Sequence, residues 1–499
     1  MQDLTILLPT ATLLVLGVYF LFLRKKSGNR SRAMSFSSEL MIAGAFPKKA
    51  TMAPPLIHAV YFFKEAPSME KVQKTLSRLF DFVRWRCSPE FNKATNTWEF
   101  VDCQHNIDDH TGHKTVNSEA EIYELMDKLS KDDFSDMTGK PLWKFYVIEN
   151  KGTGVSAVFC QIHHVIGDGI SLVVALKKIF DDKAGAPLSF SLSSAKTKAG
   201  AKAKTKQGPS MIGMFFILLK STWRVVTLGM SKFDSDISFT TKNKPQTAMS
   251  ISTNKFVFFP TLRLSFVKAI KEKAQGTVND VMLSLTTGAI RRYCKLRGDP
   301  LPAGLQVRAL MPYAFPRSEN EMNDPARCMR NKWSFLSVPL PMDALAVTDR
   351  IEQCHSTMEG MKTSVDAIVQ LFLQDHLLSK VPEFLVHQTA FDSVARHSLV
   401  FSNVPGPQVT AYFAGQPVLG MQAMFPNLIN QVLIISYNGA VFMNMAVDSA
   451  IVTDIPALQK AFLDEAVELA EAYGLSSEAA VMLAETSPGG EFAVTGAKE

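Results

Sequence analysis

Paired cysteines are missing from this chain. The six present, Cys87, Cys103, Cys160, Cys294, Cys328 and Cys354, are scattered through 499 residues without a regular spacing. That argues against a disulfide framework and suits thiols kept reduced on the cytosolic side of a membrane. Charge is sparse as well. Asp, Glu, Lys and Arg make up 20% of the chain, and much of the +6 excess sits in two local clusters, so the balance describes parts of a surface and argues against a nucleic-acid partner. No Gly-x-Ser-x-Gly elbow occurs, which removes the usual mark of a serine hydrolase. What remains is apolar. At 46% hydrophobic residues the chain is globular rather than disordered, and its length allows two ordinary domains with a large core.

The densest chemistry lies in Gln161-Ile162-His163-His164-Val165-Ile166-Gly167-Asp168-Gly169, two imidazoles, one carboxylate and two glycines at the end of an apolar run. Val155 to Ile162 reads as a strand buried on both faces, and Ile170 to Phe180 carries apolar residues at helical spacing, so the histidines fall where a strand ends. Imidazole titrates closest to neutrality, and one held beside a cleft can take a proton from a hydroxyl and return it later. A single histidine among apolar neighbours is more often a hydrogen-bonded core residue, but two in succession followed by Asp-Gly favour an active-site turn. Gly167 and Gly169 permit positive φ or close approach of another backbone. A metal site would need His164 and Asp168 on one helical face. The glycines and the lack of a third nearby ligand argue against it, so no metal is expected.

His163, His164, Asp168 and Gly169 fill the pattern His-His-x-x-x-Asp-Gly, which resembles the signature of the acyl-coenzyme A-dependent acyltransferases related to chloramphenicol acetyltransferase. Within that superfamily the chain most resembles the bifunctional wax ester synthase/diacylglycerol acyltransferases. Pro141-Leu142-Trp143, Asn279-Asp280-Val281, Ser402-Asn403-Val404-Pro405-Gly406-Pro407 and Ser436-Tyr437-Asn438-Gly439 follow the family order, and the resemblance runs from about Leu56 to about Ala472. It implies two chloramphenicol-acetyltransferase-like subdomains. Alternating strand and helix patterns from Leu56 onward agree with an α/β chain of mixed sheets and packed helices.

Leu4 to Leu23 is uncharged and, as a helix, long enough to cross a bilayer. A cleavable signal peptide would begin with a basic region, whereas this chain begins Met1-Gln2-Asp3. Arg24, Lys25, Lys26, Arg30 and Arg32 follow, which places the body on the cytosolic side of an endoplasmic reticulum membrane as a single-pass protein, with the lipid droplet a further destination and a plastid-targeting extension the alternative. The expected organisation is a membrane anchor and basic flank (1–32), a first acyltransferase subdomain (33–188), a lysine-rich linker and amphipathic membrane-associated helix (189–240), a second subdomain (241–486) and a loose tail (487–499). Ser189 to Pro209, with five lysines among small residues, reads as the linker between the halves. The apolar run Met211 to Leu219, with Lys220 and Arg224 one turn apart, is short for a span. It reads as an interfacial helix on an anionic membrane or lipid droplet, or as an inter-domain core helix.

Asn279-Asp280 at a helix start is ordinary capping chemistry by residue type. Family resemblance adds a second role, in which Asn279 holds the substrate or polarises its carbonyl while Asp280 stays structural. Ser402 and Asn403 precede two prolines and a glycine, which read as a rigid turn able to present both as donors to a developing oxyanion, or simply as turn chemistry. Arg330 stands where the family usually has glycine before Asn331, and the local backbone is expected to differ there. The resemblance further implies a tunnel between the halves, entered by acyl-coenzyme A from one side and a long-chain alcohol or diacylglycerol from the other. His164 is then the general base, Gly169 lies against substrate, and His163 and Asp168 set geometry, the aspartate pairing with an arginine for which Arg317 is a candidate. Acyl-coenzyme A is a co-substrate, and no resident cofactor is expected. Two rivals remain. One is a glycerolipid acyltransferase using His163 and Asp168, whose Glu-Gly-Thr-Arg phosphate motif is absent here, and the other is a non-catalytic membrane lipid-binding protein on the same fold.

Overall fold

The computed structural model describes residues 34–42, 54–132, 134–188, 210–240, 252–362, 364–378, 381 and 383–475. The expected anchor at Leu4 to Leu23, its basic flank, the linker at Ser189 to Pro209 and the tail at Ser487 to Glu499 lie outside the described residues.

After a short helix α1 (Phe36–Ile42), the first sheet is built from β1 (Leu56–Phe63), β2 (Thr111–Val116), β3 (Trp143–Asn150) and β4 (Ser156–His163), with helices α2 (Glu119–Leu129) and α3 (Gly169–Ile179). Every residue of β4 is buried, because it lies between β1 and β3 and apolar groups cover both its faces. Val158, Cys160 and Ile162 join one core cluster and Ala157 and Phe159 another, as strand alternation requires. The near-continuous apolar run of the sequence has this cause.

Helix α4 (Met211–Thr227) precedes the second sheet, whose strands are β5 (Asn254–Phe258), β6 (Arg308–Ala314), β7 (Trp333–Pro339), β8 (Leu399–Pro405), then β10 (Asn430–Tyr437) and β11 (Ala440–Asp448). Their spatial order is β7, β6, β8, β10, β11, β5, with β8 parallel to both β6 and β10. Helices α5 (Val278–Leu296), α6 (Val347–Lys362), α7 (Asp366–His376), α8 (Glu383–Ala395) and α9 (Ile455–Ala472) complete this half. Thr277 and Asp280 form a reciprocal capping box at the start of α5. Asn438 and Gly439, at φ 45° and 81°, make the tight turn between β10 and β11.

The two sheets are not independent. β9 (Gly420–Met424), from the second half of the chain, pairs antiparallel with β1 and closes the edge of the first sheet, Met421 opposite Tyr61. The mixed α/β architecture in two halves therefore agrees with the sequence reading, while the strand exchange is new. Three expectations change. The helical pattern at Met69 to Trp85 is broken into Met69–Leu76, a 3-10 segment at Ser77–Asp81 and Val83–Arg86. Ser402 and Asn403 lie within β8 rather than in a turn, because that strand stays paired with β10 as far as Pro405 opposite Ser436. The turn begins only at Gly406, where a Cβ would fall 2.6 Å from the Ser436 carbonyl. Finally, α4 is no core helix. Continued to Met230, it is long and apolar enough to cross a membrane, and only 6% of that stretch is buried.

Candidate active site

β4 ends at His163, and the chain turns through His164 to Gly167 before α3 begins. Asp168 is the N-cap of α3, its carboxylate accepting from the Ser171 amide at 3.1 Å. Gly167 is required by crowding, since a Cβ there would come within 2.4 Å of the Ser171 Cβ. Gly169 meets nothing closer than Val404 at 3.9 Å and has no positive φ, so neither proposed reason for a glycine applies to it.

The Asp168 carboxylate is fully engaged. Arg317 Nη2 donates to its two oxygens at 2.6 and 2.5 Å, the Lys332 amide adds 2.9 Å, and the side chains of the Arg317–Asp168 pair are 0% and 4% exposed. Arg317 Nη1 also donates to Ser171 Oγ and to the Cys328 carbonyl. This closed network leaves Asp168 as a brace between the turn and the loop before β7. Arg330, in place of the family's glycine, turns its side chain to Glu321, while its carbonyl accepts from the Asp168 amide at 3.2 Å.

His163 and His164 face different surroundings. His163 is 8% exposed, and its Nδ1 accepts from the Val165 amide at 3.2 Å. Burial, reinforced by the neighbouring His164, pushes its pKa down to about 3, so it stays neutral. His164 lines a cavity of about 830 Å³. Its Nδ1 lies 3.0 Å from Asn331 Oδ1. The Asn331 amide nitrogen donates to the His164 carbonyl at 2.8 Å and to Ser38 Oγ at 3.1 Å, which fixes the oxygen toward the ring. An oxygen can only accept, so His164 Nδ1 carries the proton and Nε2 is left as the basic nitrogen. Burial lowers the His164 pKa, opposed by the Asp168 charge and the Asn331 hydrogen bond.

The cavity is walled by apolar groups from both halves. Ile57, Ala59 and Tyr61 of β1 and Val173 and Leu176 of α3 form one side, and Leu373 and Leu377 near α7, Val394 of α8 and Val400 of β8 another. Asp168, Gly169, Ser402 and Asn403 also line it, whereas His163 and Asn279 do not. Asn279 connects to the cavity through Asn403, whose Nδ2 donates to Asn279 Oδ1 at 2.7 Å. Asp280 is held by the Thr277 amide and by His355, both at 2.8 Å, away from the cavity. Trp143 is fully buried and donates to the Trp85 carbonyl at 2.8 Å, a packing role.

Sequence reading did not find Asn331 as the partner of His164, nor Arg84 and Ser38 behind it. Arg84 donates to the Val165 carbonyl at 2.9 Å and to Ser38 Oγ at 3.1 Å. These residues are far apart in sequence, and of the three only Asn331 belongs to a family-like pattern. Helices α7 and α8 were also overlooked, although the spacing of Ile368, Leu371 and Phe372 is a helical signal. The arrangement offers a half-buried, singly protonated imidazole with its second nitrogen available, beside a large apolar space. It can accept a proton from a hydroxyl group on a greasy molecule. No cysteine lines the cavity, and burial raises Cys160 and Cys328 to about 12 and about 11, which leaves no thiolate nucleophile there.

Residues 50–282 match the family model described as the wax ester synthase/diacylglycerol acyltransferase catalytic domain, and residues 329–470 match the one described as the WS/DGAT C-terminal domain. Wax ester synthase/diacylglycerol acyltransferase 1 of Arabidopsis thaliana is 27% identical over 348 residues, covering 63% of this chain and 69% of that protein. A Mycobacterium tuberculosis protein named as a diacylglycerol O-acyltransferase is 25% identical over 310 residues, 59% of this chain. The match spans 65% of that relative's length, just under two thirds. Among solved structures, the wax ester synthase/diacylglycerol acyltransferase from Marinobacter aquaeolei VT8 superposes with a TM-score of 0.57 at 17% identity, covering 89% of this chain and 100% of its own, so the two share a fold.

Proposed function

The chain belongs to the wax ester synthase/diacylglycerol acyltransferase family, and from that premise we propose that it moves a fatty acyl group from acyl-coenzyme A to a long-chain alcohol, to diacylglycerol, or to both. The products are wax esters and triacylglycerol. The observation that carries this reading is His164 on an apolar cavity, with its Nδ1 proton committed to Asn331. Nε2 takes the acceptor's hydroxyl proton as the oxygen attacks the thioester carbonyl, and the imidazolium returns a proton to the departing sulfur. A thiol of pKa about 8.5 leaves far more readily than an alkoxide, so direct transfer needs no acyl-enzyme. Holding both chains in one cavity supplies the remaining acceleration by proximity. In this reading Ser402 and Asn403 donate toward the carbonyl oxygen, a role supported by their place on the cavity wall, with Asn279 orienting Asn403.

Acyl-coenzyme A is the co-substrate, its acyl group transferred and free coenzyme A released, and the protein works at a membrane. In this reading Leu4 to Leu23 anchors the chain in the endoplasmic reticulum with the catalytic body in the cytosol, and lipid droplets receive the product. The glycerolipid acyltransferase alternative is disfavoured by two observations: His163 does not line the cavity, and the Asp168 carboxylate is spent on Arg317. The test is purified protein given palmitoyl-coenzyme A with long-chain alcohol and diacylglycerol in competition. Coenzyme A release matched by wax ester or triacylglycerol is expected. No release with any acceptor supports the non-catalytic reading and removes this one.

A further inference from the structure

Nine of the fourteen large apolar side chains exposed among the described residues sit on two neighbouring helices, α4 and α7. Phe215, Phe216, Leu219 and Trp223 recur at helical spacing along one face of α4, and Ile368 and Phe372 stand one turn apart on α7. Trp223 is 70% exposed and Phe372 60%. The two helices are joined to each other by the Arg224–Asp366 ion pair at 2.7 Å, with Ser221 of α4 fully buried. Such a face on a water-soluble surface is far larger than scattered exposure accounts for.

The opposite sides of the same two helices belong to the cavity. Val225 and Val226 at the end of α4, and Gln370, Leu373 and Gln374 of α7, line it. The same pair of helices therefore carries an exposed apolar outer face and forms part of the wall of the cavity that holds His164. Helix α1 packs against α7 and sends Phe36 and Leu40 into the cavity lining. One further fact bears on what covers the outer face. Helix α4 has two basic residues and no acidic one; Arg224 is paired with Asp366 of α7, which leaves Lys220 as the cation α4 offers to an anionic surface.

We propose that the α4–α7 face docks on the surface of an anionic phospholipid bilayer and delivers the lipid acceptor from that bilayer into the cavity. The apolar rings sit below the headgroups, Lys220 meets the lipid phosphates, and the acceptor passes between the two helices without crossing water. This deepens the acyltransferase reading and rests on it for the identity of the cargo.

The test uses full-length protein reconstituted in phosphatidylcholine/phosphatidylserine vesicles carrying a photoactivatable phospholipid, followed by peptide mapping and turnover assays. Labelling is expected on the peptides spanning 212–223 and 368–372. The double variant Phe215→Asp/Phe372→Asp, altered only at exposed positions outside the cavity, should lose that labelling. Its turnover of a bilayer-borne long-chain acceptor should fall about tenfold or more, with turnover of a water-soluble short alcohol unchanged. Wild-type label confined to the N-terminal peptide, or equal loss of both activities in the variant, overturns the proposal. Concentration-dependent cross-links between α4 helices of two copies overturn it in favour of self-association, and label from lipids of both leaflets along α4 overturns it in favour of a span. If the wild type turns over neither acceptor, the acyltransferase reading fails while the labelling still decides the docking.

Discussion

Of two adjacent histidines, the one that lines the cavity is held by a side-chain amide whose own hydrogens are occupied, and that arrangement decides which ring nitrogen is basic. His164→Ala should lower kcat by about 10²–10⁴-fold, the usual contribution of a general base. His163→Ala should retain most activity, as steady-state coenzyme A release will show. The pH dependence follows from burial. Only neutral His164 accepts a proton, and its pKa lies below the ordinary 6.5, so kcat/KM should rise with pH through a value under 6.5 and stay level above it. Asn331→Asp puts a carboxylate beside Nδ1, favours the imidazolium, and should shift this acid limb to higher pH, as kcat/KM profiles of the two proteins will test. The His-His-x-x-x-Asp-Gly string was legible because its members are contiguous. Asn331 was legible only as a family-like residue before β7, since its bond to His164 spans 167 positions.

At the scale of elements, the turn between β4 and α3 is tied to the loop before β7 by Asp168 and Arg317. Replacing Asp168 with Asn leaves a buried guanidinium without its counter-charge. The expected loss is about 3–5 kcal/mol, read from denaturant unfolding in detergent, together with lost activity as the turn shifts. Gly167→Ala should also destabilise, because its Cβ would lie 2.8 Å from Ser171 Oγ, an atom of the same network. The β4 strand, the capped start of α5 and the Asn438-Gly439 hairpin followed from local pattern. Ser402 and Asn403 did not, because a proline-rich segment reads as a turn unless its long-range partner β10 is known.

Across the whole molecule, the halves are interlocked by β9, which pairs with β1 and contributes Met421 and Ala423 to the cavity. A fragment of residues 34–240 would leave the β1 edge open and its apolar neighbours uncovered. It should be insoluble alone and recover solubility when co-expressed with residues 241–499, as size-exclusion chromatography will show. Acceptor preference is a property at this scale too. The cavity walls come from β1, α3, α7, α8, β8 and β9, so no single stretch of sequence sets their shape.

The sequence by itself determined the alternation of strands and helices, the reactive turn and its family, because those depend on residues near one another along the chain. Tertiary structure alone decided the tautomer of His164, the exchange of β9 and the apolar face of α4 with α7. Each of these arises where distant segments meet or fail to meet, and whether an apolar side chain is covered depends on neighbours that local periodicity does not specify.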